Sequence, residues 1–205
     1  DTENLTDKKR IGSGAFGTVY QVTDNVTHKI YALKEFKNSG INNKFLIREL
    51  VLLSSVNPAR PTRDGEIIFE NRNVVGFFGA STAWQRSDGT VGPAILSEFI
   101  NGKEIGHVRS PEIWTHACRI SKELFNGLAF IHGKGVAHGD IKPANIMMER
   151  ANDGGLYGRV VIVDLGIACF VDYELASRVN PHFGKKYTCD TQSLSGTTEY
   201  FSPEC

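Results

Sequence analysis

The sequence predicts an α+β protein of two lobes, a β-rich first half followed by a helix-led second half. Three observations carry this. Runs of β-branched and aromatic residues, Thr18–Val22 and Lys29–Lys34, fill the first third and are separated by the turn-prone segment Thr23–Thr27. The longest helical periodicity, Pro111–His132, appears only after Gly102 and puts Ile113, Ala117, Ile120, Leu124, Leu128 and Ile131 on one face. Between them, Glu98–Asn101 marks the change of character, so the lobes are expected to span 1–97 and 98–205.

The remaining elements follow in order. A helix fits Asn43–Ser54, where Phe45, Leu46, Leu50 and Leu53 recur at helical spacing. Asn57–Glu70, with two prolines and several charges, reads as a loop, and Val74–Gly79 and Ala94–Ile100 read as strands. Beyond the long helix, short strands are predicted at Ala144–Met148 and Arg159–Val163, around a loop at Ala151–Gly158. From Leu165 to Cys205 the chain is polar and irregular, and neither an internal repeat nor a low-complexity tract occurs.

With 205 residues, 40% hydrophobic and 22% charged, the chain has the composition of a globular protein. Its formal net charge is zero, which gives no ground for a nucleic-acid or anionic-membrane partner. Cys118, Cys169, Cys189 and Cys205 are scattered and form no C-x-x-C pair. Reduced thiols in an intracellular compartment, cytoplasmic or nuclear, are therefore expected, rather than disulfides or a zinc site. No apolar run reaches membrane-spanning length and no signal peptide opens the chain. It begins at Asp1 rather than Met, as an excised piece would. Oligomeric state has no signature here.

Three constellations bear chemistry. Ile11-Gly12-Ser13-Gly14-Ala15-Phe16-Gly17-Thr18-Val19 would let backbone N–H groups approach phosphate oxygens closely. Alone, G-x-G-x-x-G fits a plain glycine-rich hairpin equally well. A dinucleotide fingerprint requires a following helix, and here a strand-like run follows. Lys34 ends a strand in Ala32-Leu33-Lys34, and Glu49 on the next helix is a carboxylate that could hold its ammonium. Singly, each has the ordinary reading of a solvated surface residue. The decisive cluster is His138-Gly139-Asp140-Ile141-Lys142-Pro143-Ala144-Asn145, followed by Asp164-Leu165-Gly166. Asp140 can accept or orient a hydroxyl proton, Lys142 brings positive charge, and Asn145 and Asp164 are hard oxygen donors suited to Mg²⁺.

Together these residues resemble the protein-kinase signature: glycine-rich loop, strand lysine, helix glutamate, catalytic loop, Asp-x-Gly, and a closing Gly196-Thr197-Thr198-Glu199-Tyr200-Phe201-Ser202-Pro203-Glu204. All six motifs stand in the family's order, from Ile11 to Glu204. The resemblance implies a bilobal protein-kinase-like fold and serine/threonine phosphorylation of protein substrates with ATP and Mg²⁺. It implies that Gly12, Gly14 and Gly17, with Ile11, cover the phosphates, and that Lys34 holds them while pairing with Glu49. Val19, Ala32 and Met147 would sandwich adenine, the backbone of Glu98 and Ile100 would bond it, Glu104 would contact ribose, and Ser97 is the gatekeeper. Asp140 would orient the substrate hydroxyl, with Lys142 beside it and Thr197 in contact, and Asn145 and Asp164 would bind Mg²⁺. Lys142 and Thr197 both follow the serine/threonine pattern.

Departures from the pattern carry their own expectations. Gly139 stands where the family usually has arginine, which removes the usual cation for a phosphate on the activation segment. Leu165 replaces phenylalanine in Asp-Phe-Gly, a volume-conserving change. Tyr187, Thr188, Thr191, Ser193 and Ser195 are candidate phosphorylation sites in a long segment, Ala168–Ser195, with solvated loop residues as the default. The family continues past Pro-Glu with helices that pack on the long helix, so the 205 residues alone are expected to be poorly stable or inactive. Two alternatives stay open. A pseudokinase accords with the missing arginine, but not with a complete set of Lys34, Glu49, Asp140, Asn145 and Asp164. Small-molecule phosphotransferases often write His-Gly-Asp, but generally lack the closing segment that forms a platform for peptides.

Overall fold

A computed structural model describes residues 4–14, 17–37, 44–86, 88–108, 110–151, 158–179, 188–189 and 197–200. The chain opens with strands β1 (Leu5–Ser13), β2 (Gly17–Asp24) and β3 (Ile30–Phe36), followed by helix α1 (Lys44–Val56). A two-residue ladder, β4 (Arg60–Pro61) with β5 (Ile67–Ile68), precedes the long strands β6 (Phe77–Gln85) and β7 (Val91–Glu98). The five long strands form one antiparallel sheet in the order β1-β2-β3-β7-β6.

Alternation of side chains across this sheet decides what faces the site. Leu33, Val22, Trp84 and Ala94 close an outer core, with Tyr20, Tyr31 and Leu96 packed on it. Residues of the opposite parity, Phe36 and Ile95, pack inward with Leu46, Leu52, Leu53 and Val56 of α1. Glu35 falls on the outer side and is buried there. Its carboxylate is satisfied by the Trp84 indole N–H and the Lys8 ammonium. The β2–β3 connection is an Asx turn: Asp24 Oδ1 accepts from the N–H groups of Val26 (2.9 Å) and Thr27 (2.7 Å).

The second lobe starts with β8 (Gly102–Glu104) and the long helix α2 (Ser110–Gly133), and continues through β9 (Val136–Ala137), β10 (Ile146–Glu149) and β11 (Val160–Ile162). β12 (Cys169–Phe170) and the short helix α3 (Tyr173–Val179) complete it. β10 lies between β11 and β8, and β12 pairs with β9. The apolar face of α2 predicted from periodicity is the one that packs: Ile120 and Ile131 are buried, with Leu124 and Leu128 against the core. Gly127 is where the helix meets the sheet, since a Cβ there would lie 2.8 Å from the Asn73 carbonyl and 2.9 Å from Ile162 Cδ1.

One core joins the lobes. Val56, Val74, Phe77 and Ile95 share it with Ile131, Val136, Ile162 and Leu165. The backbone reinforces it. Ile162 N–H donates to the Asn73 carbonyl (2.8 Å), Val75 N–H donates to the Ile162 carbonyl (2.9 Å), and the buried Asn73 amide donates to the Val160 carbonyl (2.8 Å).

Several expectations are corrected. β1, β8 and β9 were not foreseen, and the stretch Asn57–Glu70 holds the β4–β5 ladder. The strand expected at Val74–Gly79 begins at Phe77 and runs to Gln85, because Val74 and Val75 bridge across to Ile162 instead. The region after Leu165, expected to be irregular, contains β12 and α3. Most consequentially, Cys169 and Cys189 form a disulfide (S–S 2.06 Å) rather than staying reduced. A pair 20 residues apart in sequence is brought together where Thr188 bridges Phe170 and Cys189 N–H donates to the Phe170 carbonyl (2.8 Å), which no cysteine spacing reveals. Cys118 is free and exposed.

Candidate active site

β3 and α1 meet at the first charged cluster. Because Lys34 shares parity with Phe36, its side chain runs inward. There the ammonium bonds Oε1 and Oε2 of the buried Glu49, each at 2.7 Å, and Asp164 Oδ1 at 3.3 Å. Burial alone would lower the pKa of Lys34. The carboxylates of Glu49 and Asp164 outweigh it and hold the pKa above its ordinary value, so the cation persists. Asp164 itself sits at φ +64°, a left-handed conformation that Asp tolerates better than most residues. Its Oδ1 also accepts the Gly166 N–H (3.1 Å). Gly166 must be small: a Cβ there would stand 2.9 Å from Asp164 Oδ1 and 3.3 Å from Glu49 Oε2.

The second cluster forms where β9 ends. His138 is buried. Its Nδ1 accepts the Asp140 N–H (3.2 Å) and its Nε2 donates to the Val163 carbonyl (3.2 Å), which fixes the neutral Nε2–H tautomer. Burial pushes its pKa below the ordinary value, in keeping with that assignment. Gly139 has φ +79°, a turn that glycine makes without strain and that swings Asp140 into the cleft.

The Asp140 carboxylate then gathers four donor groups from three residues. Lys142 Nζ lies 2.7 Å and Asn145 Nδ2 3.0 Å from Oδ2, while Oδ1 accepts from Thr197 Oγ1 (2.7 Å) and N–H (3.0 Å). Lys142 also donates to Thr197 Oγ1 (2.7 Å), closing a triangle. Burial would raise the pKa of Asp140, but the bonds from Lys142 and Thr197 prevail and keep it below its ordinary value. The two clusters are linked through Val163, whose N–H donates to the Asn145 carbonyl (2.9 Å) immediately before Asp164.

The remaining expected residues line the strands around these clusters. Gly12 and Gly14 leave open space where a side chain would stand, and Gly14 N–H donates to the Gly17 carbonyl (2.9 Å). Gly17 crosses β3 so closely that a Cβ would lie 2.4 Å from the Glu35 carbonyl. Ile11 is exposed on β1. Val19 stands opposite Lys34, and Ala32 opposite Ser97. Met147 is half-buried opposite Glu104, whose carboxylate contacts His107 (3.3 Å). Ile100 is buried, and among the described residues none bonds its peptide N–H or carbonyl. Ala15, Phe16, Gly196, Phe201–Glu204, Tyr187, Thr191, Ser193 and Ser195 lie outside the described residues.

Chemically, the arrangement offers an ionised base candidate, two cations and two hard oxygens. Asn145 commits its amide nitrogen to Asp140, and among the described residues nothing donates to its Oδ1 or to Asp164 Oδ2. These two oxygens suit a small divalent cation that keeps phosphate and water ligands. Backbone groups of Ile100 that bond no described residue suit a planar heterocycle, and the open space at Gly14 suits phosphates. Sequence reasoning did not find Arg159, a guanidinium at the edge of β11 that binds Glu98, nor the bracing role of His138. Arg159 belongs to no motif, and the motif that holds His138 does not show which carbonyl its ring will meet.

Comparison with known proteins agrees with this geometry. The family described as protein kinase domain matches residues 5–205. Calcium-dependent protein kinase 4 of Plasmodium falciparum is 26% identical over 193 residues, covering 92% of this chain and 33% of that protein. Mitogen-activated protein kinase kinase kinase kinase 3 of Rattus norvegicus is 28% identical over 200 residues (96% of this chain, 19% of that protein). Serine/threonine-protein kinase PKH3 of Saccharomyces cerevisiae is 27% identical over 203 residues (96% and 21%). The chain thus spans a third or less of the length of these relatives. It belongs to the protein kinase domain family, and its two lobes are those of the protein kinase fold.

Proposed function

We propose that the protein transfers the γ-phosphoryl group of Mg²⁺-bound ATP to serine and threonine hydroxyls of protein substrates. The observation that carries this reading is the triangle of Asp140, Lys142 and Thr197. An ionised carboxylate beside a cation can orient an incoming hydroxyl and accept its proton, worth roughly 10²–10⁴-fold in rate. Lys142 would offset negative charge on the oxygens being transferred. Thr197, from the closing segment, ties the peptide platform to the base and distinguishes this reading from a small-molecule phosphotransferase.

In this reading Gly12, Gly14 and Gly17 lie over the phosphates below Ile11, and Lys34, held by Glu49, binds them. Adenine lies between Val19, Ala32 and Met147, bonded by the backbone of Glu98 and Ile100, with Glu104 near the ribose. Asn145 and Asp164 would hold Mg²⁺, which when bound would offset negative charge on the phosphates. The lobe boundary falls between Ser97 and Glu98. Among the described residues, no helix is long and apolar enough to cross a membrane. As a user of ATP, the protein is assigned an intracellular place of action.

The test is Mg²⁺-dependent transfer of labelled γ-phosphate to a mixed Ser/Thr/Tyr peptide library, compared with Asp164→Asn. Label on serine and threonine that disappears in the variant is expected. ATP binding without transfer to any peptide would overturn the reading and direct attention to small-molecule acceptors.

A further inference from the structure

Gly139 leaves the catalytic loop without the cation that would clamp a phosphorylated activation segment, yet the segment is anchored beside that glycine by other means. In the β9–β12 ladder, Cys169 stands opposite Ala137 and Phe170 opposite Val136. β9 runs directly into His138, Gly139 and Asp140. Cys169 is joined covalently to Cys189. Cys189 N–H donates to the Phe170 carbonyl (2.8 Å), and Thr188 bridges Phe170 in parallel. From the other side, Arg48 Nε, next to Glu49 on α1, donates to the Ala168 carbonyl (2.7 Å). The disulfide therefore ties Cys189 to β12, the strand that pairs with the one delivering Asp140. The residue just before β12, Ala168, is itself held by the helix that carries Glu49.

We propose that Cys169 and Cys189 form a reversible oxidation site that holds residues 188–189 on β12 covalently, in the place a phosphate–arginine clamp would take. In the disulfide form Cys189, eight positions before Thr197 in the sequence, is held on β12, and Thr197 engages Asp140. In the dithiol form that hold is lost and transfer to protein substrates falls, while nucleotide binding, whose proposed residues all precede Cys169 in the sequence, is unaffected. The inference rests on the kinase reading of the site. In a compartment buffered by thiols such a disulfide is transient and responsive rather than permanent. The exchange partner is a low-molecular-weight disulfide such as oxidised glutathione. One cysteine thiolate attacks its S–S bond, forming a mixed disulfide and releasing one glutathione thiolate. The second cysteine thiolate attacks the protein-side sulfur and releases the other. Two protein thiols lose two electrons and two protons, and one glutathione disulfide becomes two glutathione thiols.

The test equilibrates the protein in glutathione buffers from fully reducing to oxidising. Mass spectrometry of non-reduced peptides reports the Cys169–Cys189 link at each poise. At each point, Ser/Thr-peptide kcat/KM, the KM for ATP and hydrogen exchange at Val136–Asp140 and Thr197 are measured. Reduction is expected to lower peptide kcat/KM by about tenfold, as the Thr197-engaged state becomes a minor population, with the KM for ATP unchanged. Exchange protection of the Thr197 N–H falls in parallel. Cys169→Ser and Cys189→Ser are fixed at the reduced value whatever the poise, and Cys118→Ser behaves as the parent. Equal peptide kcat/KM in verified dithiol and disulfide forms overturns the proposal, as does a link that neither forms nor breaks across the range. Were neither form to phosphorylate peptide, the kinase reading would fall. Exchange protection would then judge the staple alone, and equal protection in both forms would reject it.

Discussion

Arg159, at the edge of β11, places its guanidinium on the carboxylate of Glu98, the last residue of β7. Both side chains are largely buried (13% and 17% exposed), so the pair is poorly screened by solvent. Arg159 also donates to Glu149 Oε2 (2.8 Å) and to the Arg72 carbonyl (2.8 Å), while Glu98 Oε2 accepts the Gly76 N–H (3.2 Å). Arg159 thus links β10 and the 72–76 stretch to the residue that starts the proposed adenine-binding backbone.

Removing Arg159 leaves two carboxylates half-buried without their cation. Arg159→Ala is expected to destabilise the protein by about 3 kcal/mol, toward the lower end for a broken buried pair. It is also expected to raise the KM for ATP several-fold with little change in kcat. Urea unfolding and steady-state kinetics check both. Arg159→Lys restores charge but not the fork that reaches three acceptors, and falls between the two. An unchanged KM in a stable Arg159→Ala protein would separate the clamp from nucleotide binding.

Lys34 is held by two oxygens of Glu49, and Gly166 is small because Asp164 and Glu49 crowd it. Gly166→Ala would push a methyl against Asp164 Oδ1. We expect transfer to fall by about 10²-fold, comparable to the loss of one preorganised electrostatic contact. Asp164 lies at an exposed edge of the cleft, so the melting temperature should change little. Glu49→Gln keeps the shape and one acceptor but loses the charge, and should cost activity more than stability. Wild-type turnover in Gly166→Ala would show that the position of Asp164 is not critical.

Thr197 contributes two bonds to Asp140, one from its hydroxyl and one from its backbone. Thr197→Val keeps the shape and the N–H but loses the Oγ1 link to Asp140 and Lys142. A fall of about tenfold in peptide kcat is expected, as for loss of one charge-assisted hydrogen bond. Thr197→Ser should be near the parent, and Asp140→Asn should lose roughly 10²–10⁴-fold. ATP affinity, measured by titration, stays constant across the series. An effect on ATP affinity equal to that on transfer would relocate Thr197 to nucleotide binding.

How much of this was legible in the sequence depends on whether a residue's role is local. The Lys34 strand, the Glu49 helix and the catalytic-loop residues announce themselves through period and motif, because strand parity and helical spacing decide where those side chains point. β9 and β12 have two residues each, too short to show a period, and they exist only because each finds the other. The disulfide depends on a further contact of that kind, the bridge between Phe170 and Thr188, so four scattered cysteines gave the wrong expectation. Arg159 precedes a short apolar run, and only the approach of Glu98 at the end of β7 turns it into a clamp. His138 was visible as a letter of a motif, but its bracing role appears only when the Val163 carbonyl is set beside it.

That brace makes stability sensitive to pH. His138 is buried and neutral, with Nδ1 accepting from Asp140 N–H, so protonation would break that bond and bury a charge. Its pKa in the folded protein is below the ordinary value of 6.5, whereas the unfolded chain protonates at that value. Between the two, the unfolded state binds the extra proton, so stability rises with pH there. The contribution is fully present above about pH 6.5 and is lost progressively as pH falls from 6.5 through the folded pKa. Asp140, whose pKa is lowered, contributes above its ordinary 3.8 and loses that contribution only at more acid pH, so the two limbs are separable. Urea unfolding from pH 8 to pH 5 should show a flat region followed by a decline of up to about 1.4 kcal/mol per pH unit. His138→Asn is expected to flatten the decline while lowering stability at every pH, since the amide can keep one of the two bonds but fills less of the site. A decline of the same slope in that variant would assign the titration to another group.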